Sequence, residues 1–237
     1  MNQIAKIAFA LVSLACVSCE PFNSKPMIVQ ERYEEWTVLQ IPNGEAAYAI
    51  NGSIDDVLVV TTETKVYASD NSGETWDEVA DFSGPMPGLL KRNDSLFIFG
   101  VYGQGDDFDF ASSVSGFSTD KGFSWQETNN TYFPDLKVPI KYVETENGVS
   151  YKTEWNYLTI DGSVSNYLTA SKIEKTVNNY TEILDIPFEY ILNNLYLDEE
   201  NRLYVAASYG TIKDDGKINS GDRNSPALVF ISKNPLP

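Results

Sequence analysis

Asp106, Asp107 and Asp109 interleave with Phe108 and Phe110 inside the run Gly103 to Phe110, and a second long run, Tyr209 to Ser225, holds Asp214, Asp215, Asn219 and Asp222. Carboxylates and amides crowded in this way can offer hard oxygen ligands to Ca²⁺. Neither run has the Asp-x-(Asp/Asn)-x-(Asp/Asn)-Gly order of a calcium loop, so no metal is assigned and no other cofactor is expected. The aromatic side chains offer different chemistry. Tyr102, Phe108, Phe110, Trp155, Tyr157 and Tyr209 stand beside acids and amides, a mixture that stacks on sugar rings or anchors a protein partner. The candidate ligand face is therefore Asp106, Asp107, Phe108, Asp109, Trp155, Tyr157, Tyr209, Asp214 and Asp215. The bland alternative is solvated loops with their rings folded inward.

Catalytic options are narrowed by what the chain lacks. It has no His and only two Cys, Cys16 and Cys19. Ser-His-Asp, Cys-His and His-metal centres are thereby excluded. The 34 acidic residues guarantee close carboxylate pairs, so glycoside hydrolysis stays open until geometry is known. No catalytic residue is expected.

The elements that must hold these side chains announce themselves by repetition. Ser69-Asp70-Asn71-Ser72-Gly73-Glu74-Thr75-Trp76 and Ser118-Thr119-Asp120-Lys121-Gly122-Phe123-Ser124-Trp125 share the pattern Ser-x-(Asp/Asn)-x-Gly-x-(Ser/Thr)-Trp. They begin roughly 50 residues apart, the period of a blade-sized repeat. Asp or Asn bonds the following backbone, Gly accepts positive φ, and Trp caps the turn with apolar surface. The pattern resembles the Asp box, or bacterial neuraminidase repeat, which lies between the two outer strands of β-propeller blades. The resemblance implies a structural role for Ser69, Asn71, Gly73, Thr75, Trp76, Ser118, Asp120, Gly122, Ser124 and Trp125, away from any catalytic face. Sialidase activity does not follow from it, because the arginine triad such enzymes use would have to come from Arg32, Arg92, Arg202 and Arg223.

The same register predicts four units. Val66 to Ser69, Gly116 to Ser118, Leu168 to Ser171 and Val229 to Ser232 are apolar strands ending in Ser, and the last two have lost the box. Val57 to Val60, Leu96 to Phe99, Val149 to Lys152 and Leu203 to Ala206 precede them. Ala46 to Ile50, Gly88 to Leu90, Ile140 to Val143 and Leu192 to Leu197 read as innermost strands. The fourth unit ends without an outer strand, whereas Glu35 to Pro42 precedes the first with no partner. Together they predict an all-β, four-bladed propeller closed by the N-terminal strand, with an irregular β-sandwich or an incomplete propeller as alternatives. The three long loops, from Gly103, Trp155 and Tyr209, should project from the face opposite the boxes.

At the N-terminus, Lys6 precedes the apolar run Ile7 to Ala15, too short to cross a membrane. Leu14-Ala15-Cys16-Val17-Ser18-Cys19 resembles the lipobox of bacterial lipoproteins. The resemblance implies acylation at Cys19 in preference to Cys16, with residues 1–18 a signal peptide, 19–33 a tether and 34–237 the propeller domain. A plain secretory signal is the alternative. The net charge of −17 disfavours nucleic acid and anionic lipid surfaces. The expectation is an exported lipoprotein of the bacterial envelope, at the outer membrane, that binds without catalysis. An envelope protein is its expected partner; a glycan-binding accessory or a divergent sialidase-like hydrolase is the alternative.

Overall fold

The computed structural model describes residues 33–133, 135–159, 166–221 and 224–236. The expected signal peptide, Cys16, Cys19 and the expected tether through Arg32 lie outside the described residues, as do Asp161, Gly162, Asp222 and Arg223.

The described residues contain strands and no helix. After β1 (Trp36–Ile41) comes a sheet of β2 (Ala49–Gly52), β3 (Leu58–Thr61), β4 (Lys65–Ser69) and β5 (Asp77–Asp81), paired in that order. The second sheet holds β6 (Gly88–Arg92), β7 (Ser95–Gly103), β8 (Asp109–Ser118), β9 (Gln126–Thr131) and β10 (Val138–Ile140). The third is β11 (Tyr142–Glu144), β12 (Ser150–Thr159), β13 (Asn166–Val177) and β14 (Tyr180–Ile183). In the fourth, β15 (Ile191–Leu197) pairs β16 (Leu203–Ser208), a hairpin of β17 (Gly210–Ile212) and β18 (Ile218–Ser220) intervenes, and β19 (Ala227–Ser232) follows. β1 then adds to β19, with Trp36 opposite Ser232 and Ile41 opposite Ala227. Around the axis β2 touches β6 and β15, β15 touches β11, and β10 stands between β6 and β11. This is a four-bladed β-propeller, and its ring is closed by the N-terminal strand, as the sequence predicts.

Period-2 alternation explains how the blades stack. On β16, Leu203, Val205 and Ala207 face blade three, whereas Tyr204 and Ala206 face blade one. β19 divides likewise, with Leu228 and Phe230 on one side and Ala227, Val229 and Ile231 on the other. A strand buried on both faces carries a continuous apolar run, which is why Ala-Leu-Val-Phe-Ile reads unbroken. Each Val, Leu, Ile or Phe side chain among them contributes roughly 1.5–3 kcal/mol by leaving water.

The two Ser-to-Trp turns close β4–β5 and β8–β9. In the first, Ser69 Oγ accepts the Gly73 N–H at 2.9 Å and Asn71 Oδ1 accepts the Thr75 N–H at 3.0 Å. In the second, Ser118 Oγ accepts from Gly122 N at 2.8 Å and Asp120 Oδ1 from Ser124 N at 2.9 Å. Gly73 and Gly122 have φ of 77° and 100°. A Cβ on Gly122 would lie 2.5 Å from Val59 of the preceding blade, and one on Gly73 2.8 Å from Leu39 of β1. Each turn therefore clamps its blade onto the previous one.

Three expected boundaries move. Ile140 to Val143 is not one inner strand, because Lys141 takes φ 61° and breaks it; Val138–Ile140 returns to β8 and only Tyr142–Glu144 joins blade three. Trp155 and Tyr157 belong to β12 rather than to a loop. Where the third box is missing, Asn178 and Asn179, both with positive φ, form the two-residue connection between β13 and β14.

Candidate functional site

Register fixes the two faces of the ring. Gly52 pairs with Leu58 and Leu58 with Ser69, so the β2–β3 turn and the first Ser-to-Trp turn share one end. Gly103 opposite Phe110, Thr159 opposite Asn166 and Ile191 opposite Ser208 mark the other end. All three long hairpins project from it.

Two cavities open on that face and share Trp155. The central one, about 270 Å³, is lined by Glu45, Tyr48, Glu63, Asn193, Ser208 and Tyr209 together with Trp155. The second, about 370 Å³, lies between blades two and three and takes Asp106, Asp107, Phe108, Asp109, Glu154 and Tyr157. Trp155 is 41% exposed and Tyr157 53%, and Tyr102 and Tyr167 add further open rings. Lys141 Nζ sits 4.0 Å from the Trp155 ring centroid. Burial lowers the Lys141 ammonium below its ordinary pKa, while Asp109 and Glu154 pull the other way. Phe108 stacks on Tyr142 with centroids 4.9 Å apart, and Tyr102 donates a hydrogen bond to Asp109.

At the floor of the central cavity, Asn193 is 5% exposed. Its Nδ2 donates to the Ala47 carbonyl and to Ser208 Oγ, both at 2.9 Å. A carbonyl only accepts, so the amide nitrogen must point there. Asn193 Oδ1 is left without a partner among the described residues, on a side chain that lines the cavity. Above it, Glu45 holds φ 58° because its N–H bonds Ser225 O and its carbonyl accepts Tyr209 N–H. Burial first, then Glu63 and Glu45, raise the Tyr48 phenol above its usual pKa.

No protein-family model and no curated protein sequence matches the chain. Among solved structures it is similar to a protein of unknown function from Dyadobacter fermentans, at 12% identity over 84% of this chain and 86% of that one, TM-score 0.33. It is also similar to YCF48 bound to D1 peptide, at 10% identity over 87% and 99%, TM-score 0.36. Virginiamycin B lyase from Staphylococcus aureus aligns at 16% identity over 79% and 74%, TM-score 0.26. At these TM-scores the fold rests on the chain's own strand pairing.

Of the sequence-predicted face, Asp106, Asp107, Phe108, Asp109, Trp155, Tyr157 and Tyr209 line one or other cavity. Asp214 and Asp215 do not. They sit in the tip joining β17 to β18, where Asp215 pairs with Lys217 at 2.9 Å and Lys217 covers the Tyr167 ring at 4.2 Å. That tip ties the blade-four hairpin to blade three. Among the described residues no three acids, Cys or His gather in a way that could hold a metal ion.

The sequence reading missed Glu45, Tyr48, Glu63 and Asn193. One signal was present: Asn193-Asn194 interrupts the apolar strand Ile-Leu-Asn-Asn-Leu-Tyr-Leu, and polar groups buried in a strand demand partners. Asn194 finds them in Pro87 O and the Lys141 N–H. Also missed was a cluster on the opposite face, where Arg202 meets Asp198 and Asp55, each at 2.7 Å. Burial opposes its charge, yet those two carboxylates hold the guanidinium pKa above the ordinary value. Arg202 thus links blade four to blade one.

Proposed function

We propose that the chain is an exported, lipid-anchored binding module of the bacterial cell envelope, at the outer membrane, which engages a protein partner through its long-hairpin face and performs no catalysis. The observation that carries this reading is the placement of Trp155 as a wall common to two cavities, with Tyr102 and Tyr157 exposed on the same face. Exposed, rigid aromatic side chains around polar pockets are what interface hot spots are made of. The Ser-to-Trp turns, taken as Asp boxes, serve as blade clamps on the far face. Arg202, one of few arginines available for a sialidase triad, is committed to Asp198 and Asp55 there.

Chemical cross-linking in intact envelopes tests the reading. Wild type and Lys91→Ala, altered on the opposite face, should yield the same discrete adduct, and the double variant Trp155→Ala, Tyr157→Ala should lose it. An adduct indifferent to the double variant overturns the reading. Saturable binding on a glycan array, lost with Trp155→Ala, would replace the protein partner by a glycan. Anchoring has its own test: labelling by a fatty-acid probe should survive Cys16→Ser and vanish in Cys19→Ser.

A further inference from the structure

The central cavity has a lining that is one-sided in charge. Its acceptors are the Glu45 and Glu63 carboxylates at the rim and Asn193 Oδ1 at the floor, and among the described residues that line it none is basic. Lys141, the nearest cation to Trp155, is held over the ring by the second cavity. The Tyr48, Tyr209 and Ser208 hydroxyls can donate as well as accept, so the preference is set by two carboxylates with no cation beside them. A compact cation satisfies it better. The Asn193 oxygen adds a fixed acceptor, because its amide nitrogen is committed to Ala47 O and Ser208 Oγ and the side chain lines the cavity. The walls are flat rings, Trp155, Tyr209 and Tyr48, which favour a planar cation over a strongly hydrated ammonium.

From this we infer that the central cavity is a guanidinium socket, which receives an arginine side chain of the protein partner. The inference rests on the long-hairpin face being the binding face. The net charge of −17 suits a partner with a basic surface. Five N–H donors in one plane allow the guanidinium to meet a carboxylate at the rim and the Asn193 oxygen below while its face lies on an indole or phenol. Phe108, Tyr157 and the second cavity then contact whatever flanks that arginine.

The probe is N-acetyl-arginine methylamide, titrated into the full chain in detergent micelles while the indole N–H signal of Trp155 is followed by NMR, assigned with Trp155→Phe. N-acetyl-citrulline methylamide, a neutral isostere, and methyl β-glucoside serve as comparisons. The arginine compound should saturate the shift, citrulline should bind at least about tenfold more weakly, and Glu63→Gln should weaken arginine by about tenfold, the scale of one charge-assisted hydrogen bond. Equal binding of citrulline, an unaltered affinity in Glu63→Gln, or a response to the glucoside alone overturns the socket. If arginine fails while the Trp155, Tyr157 double variant still loses its cross-linked adduct, the socket falls and the binding face stands. If arginine binds but cross-linking ignores that variant, the binding face falls instead.

Discussion

At the scale of single residues the two Ser-to-Trp turns form a natural comparison, because the same position is Asn71 in one and Asp120 in the other. The Ser124 hydroxyl and then Ser118 bond the Asp120 carboxylate, and with the Ser124 N–H they hold its pKa down to about 2. A carboxyl whose folded pKa is depressed stabilises the fold above its unfolded pKa of 3.8 and loses that contribution as pH falls towards 2. Asn71 makes the equivalent bond to Thr75 without titrating. Asp120→Asn should therefore match wild type near neutrality in thermal melts and show a smaller fall in Tm between pH 4 and pH 2. Equal acid sensitivity would mean that Asp120 is irrelevant to it. Gly122 tests the clamp itself. Gly122→Ala adds both positive-φ strain and a clash with Val59, and should cost roughly 1–3 kcal/mol more than the control Gly148→Ala. Gly148 has φ 80° but nothing within 4 Å of its Cβ, so only the strain, about 1 kcal/mol, applies there.

At the scale of elements the decisive strand is β1, and its role was legible in the sequence. Trp36-Thr37-Val38-Leu39-Gln40-Ile41 has apolar positions for both faces, and the fourth repeat stopped one strand short. Trp36 is buried and meets Phe188 edge-on with centroids 5.1 Å apart. Trp36→Ala should cost about 3–5 kcal/mol in urea unfolding, as a cavity at the blade three–four seam. Deleting residues up to Ile41 exposes the β19 edge, so that variant should self-associate, and a peptide of residues 34–42 supplied in trans should restore the monomer by strand addition. Failure of the peptide while Trp36→Ala still destabilises would show that β1 works by packing alone. What stayed hidden at this scale has a physical cause. The break at Lys141 depends on its backbone N–H reaching Asn194 Oδ1, 53 residues away, at 2.7 Å. The extension of β12 through Trp155 to Thr159 depends on pairing with β13, although its aromatic content was already that of a strand. Local pattern found the elements; long-range partners set where they end.

For the whole molecule the four blade seams are unequal, and this inequality governs how the ring holds together. Large apolar clusters fill the seams between blades three and four, four and one, and one and two. The remaining cluster lies within blade two, where β10 returns to cover Phe99 and Ala111. Blades two and three are joined by the Ile140–Tyr142 chain crossing and the Phe108–Tyr142 stack, with a cavity of about 370 Å³ beside them. Blades four and one have in addition the Arg202 cluster, in which Tyr204 also donates to Asp198 at 3.0 Å. Asp198 is buried, so Arg202→Met strands a charge and should cost about 3–5 kcal/mol, whereas adding Asp198→Asn should recover much of it. The seam between blades four and one is thus reinforced, and the one between blades two and three is the least filled. Native-state hydrogen exchange at rising urea should show amides of β11 and β12 losing protection before those of β16 and β19, and Tyr142→Ala should widen that gap. Simultaneous loss at all four strands would mean that the seams are equal in energy. Protection lost first at β19 would mean that the closing strand, despite Arg202, is where the ring opens. A partner bound across both cavities would span the seam between blades two and three, so it should raise the protection of β11 and β12 most.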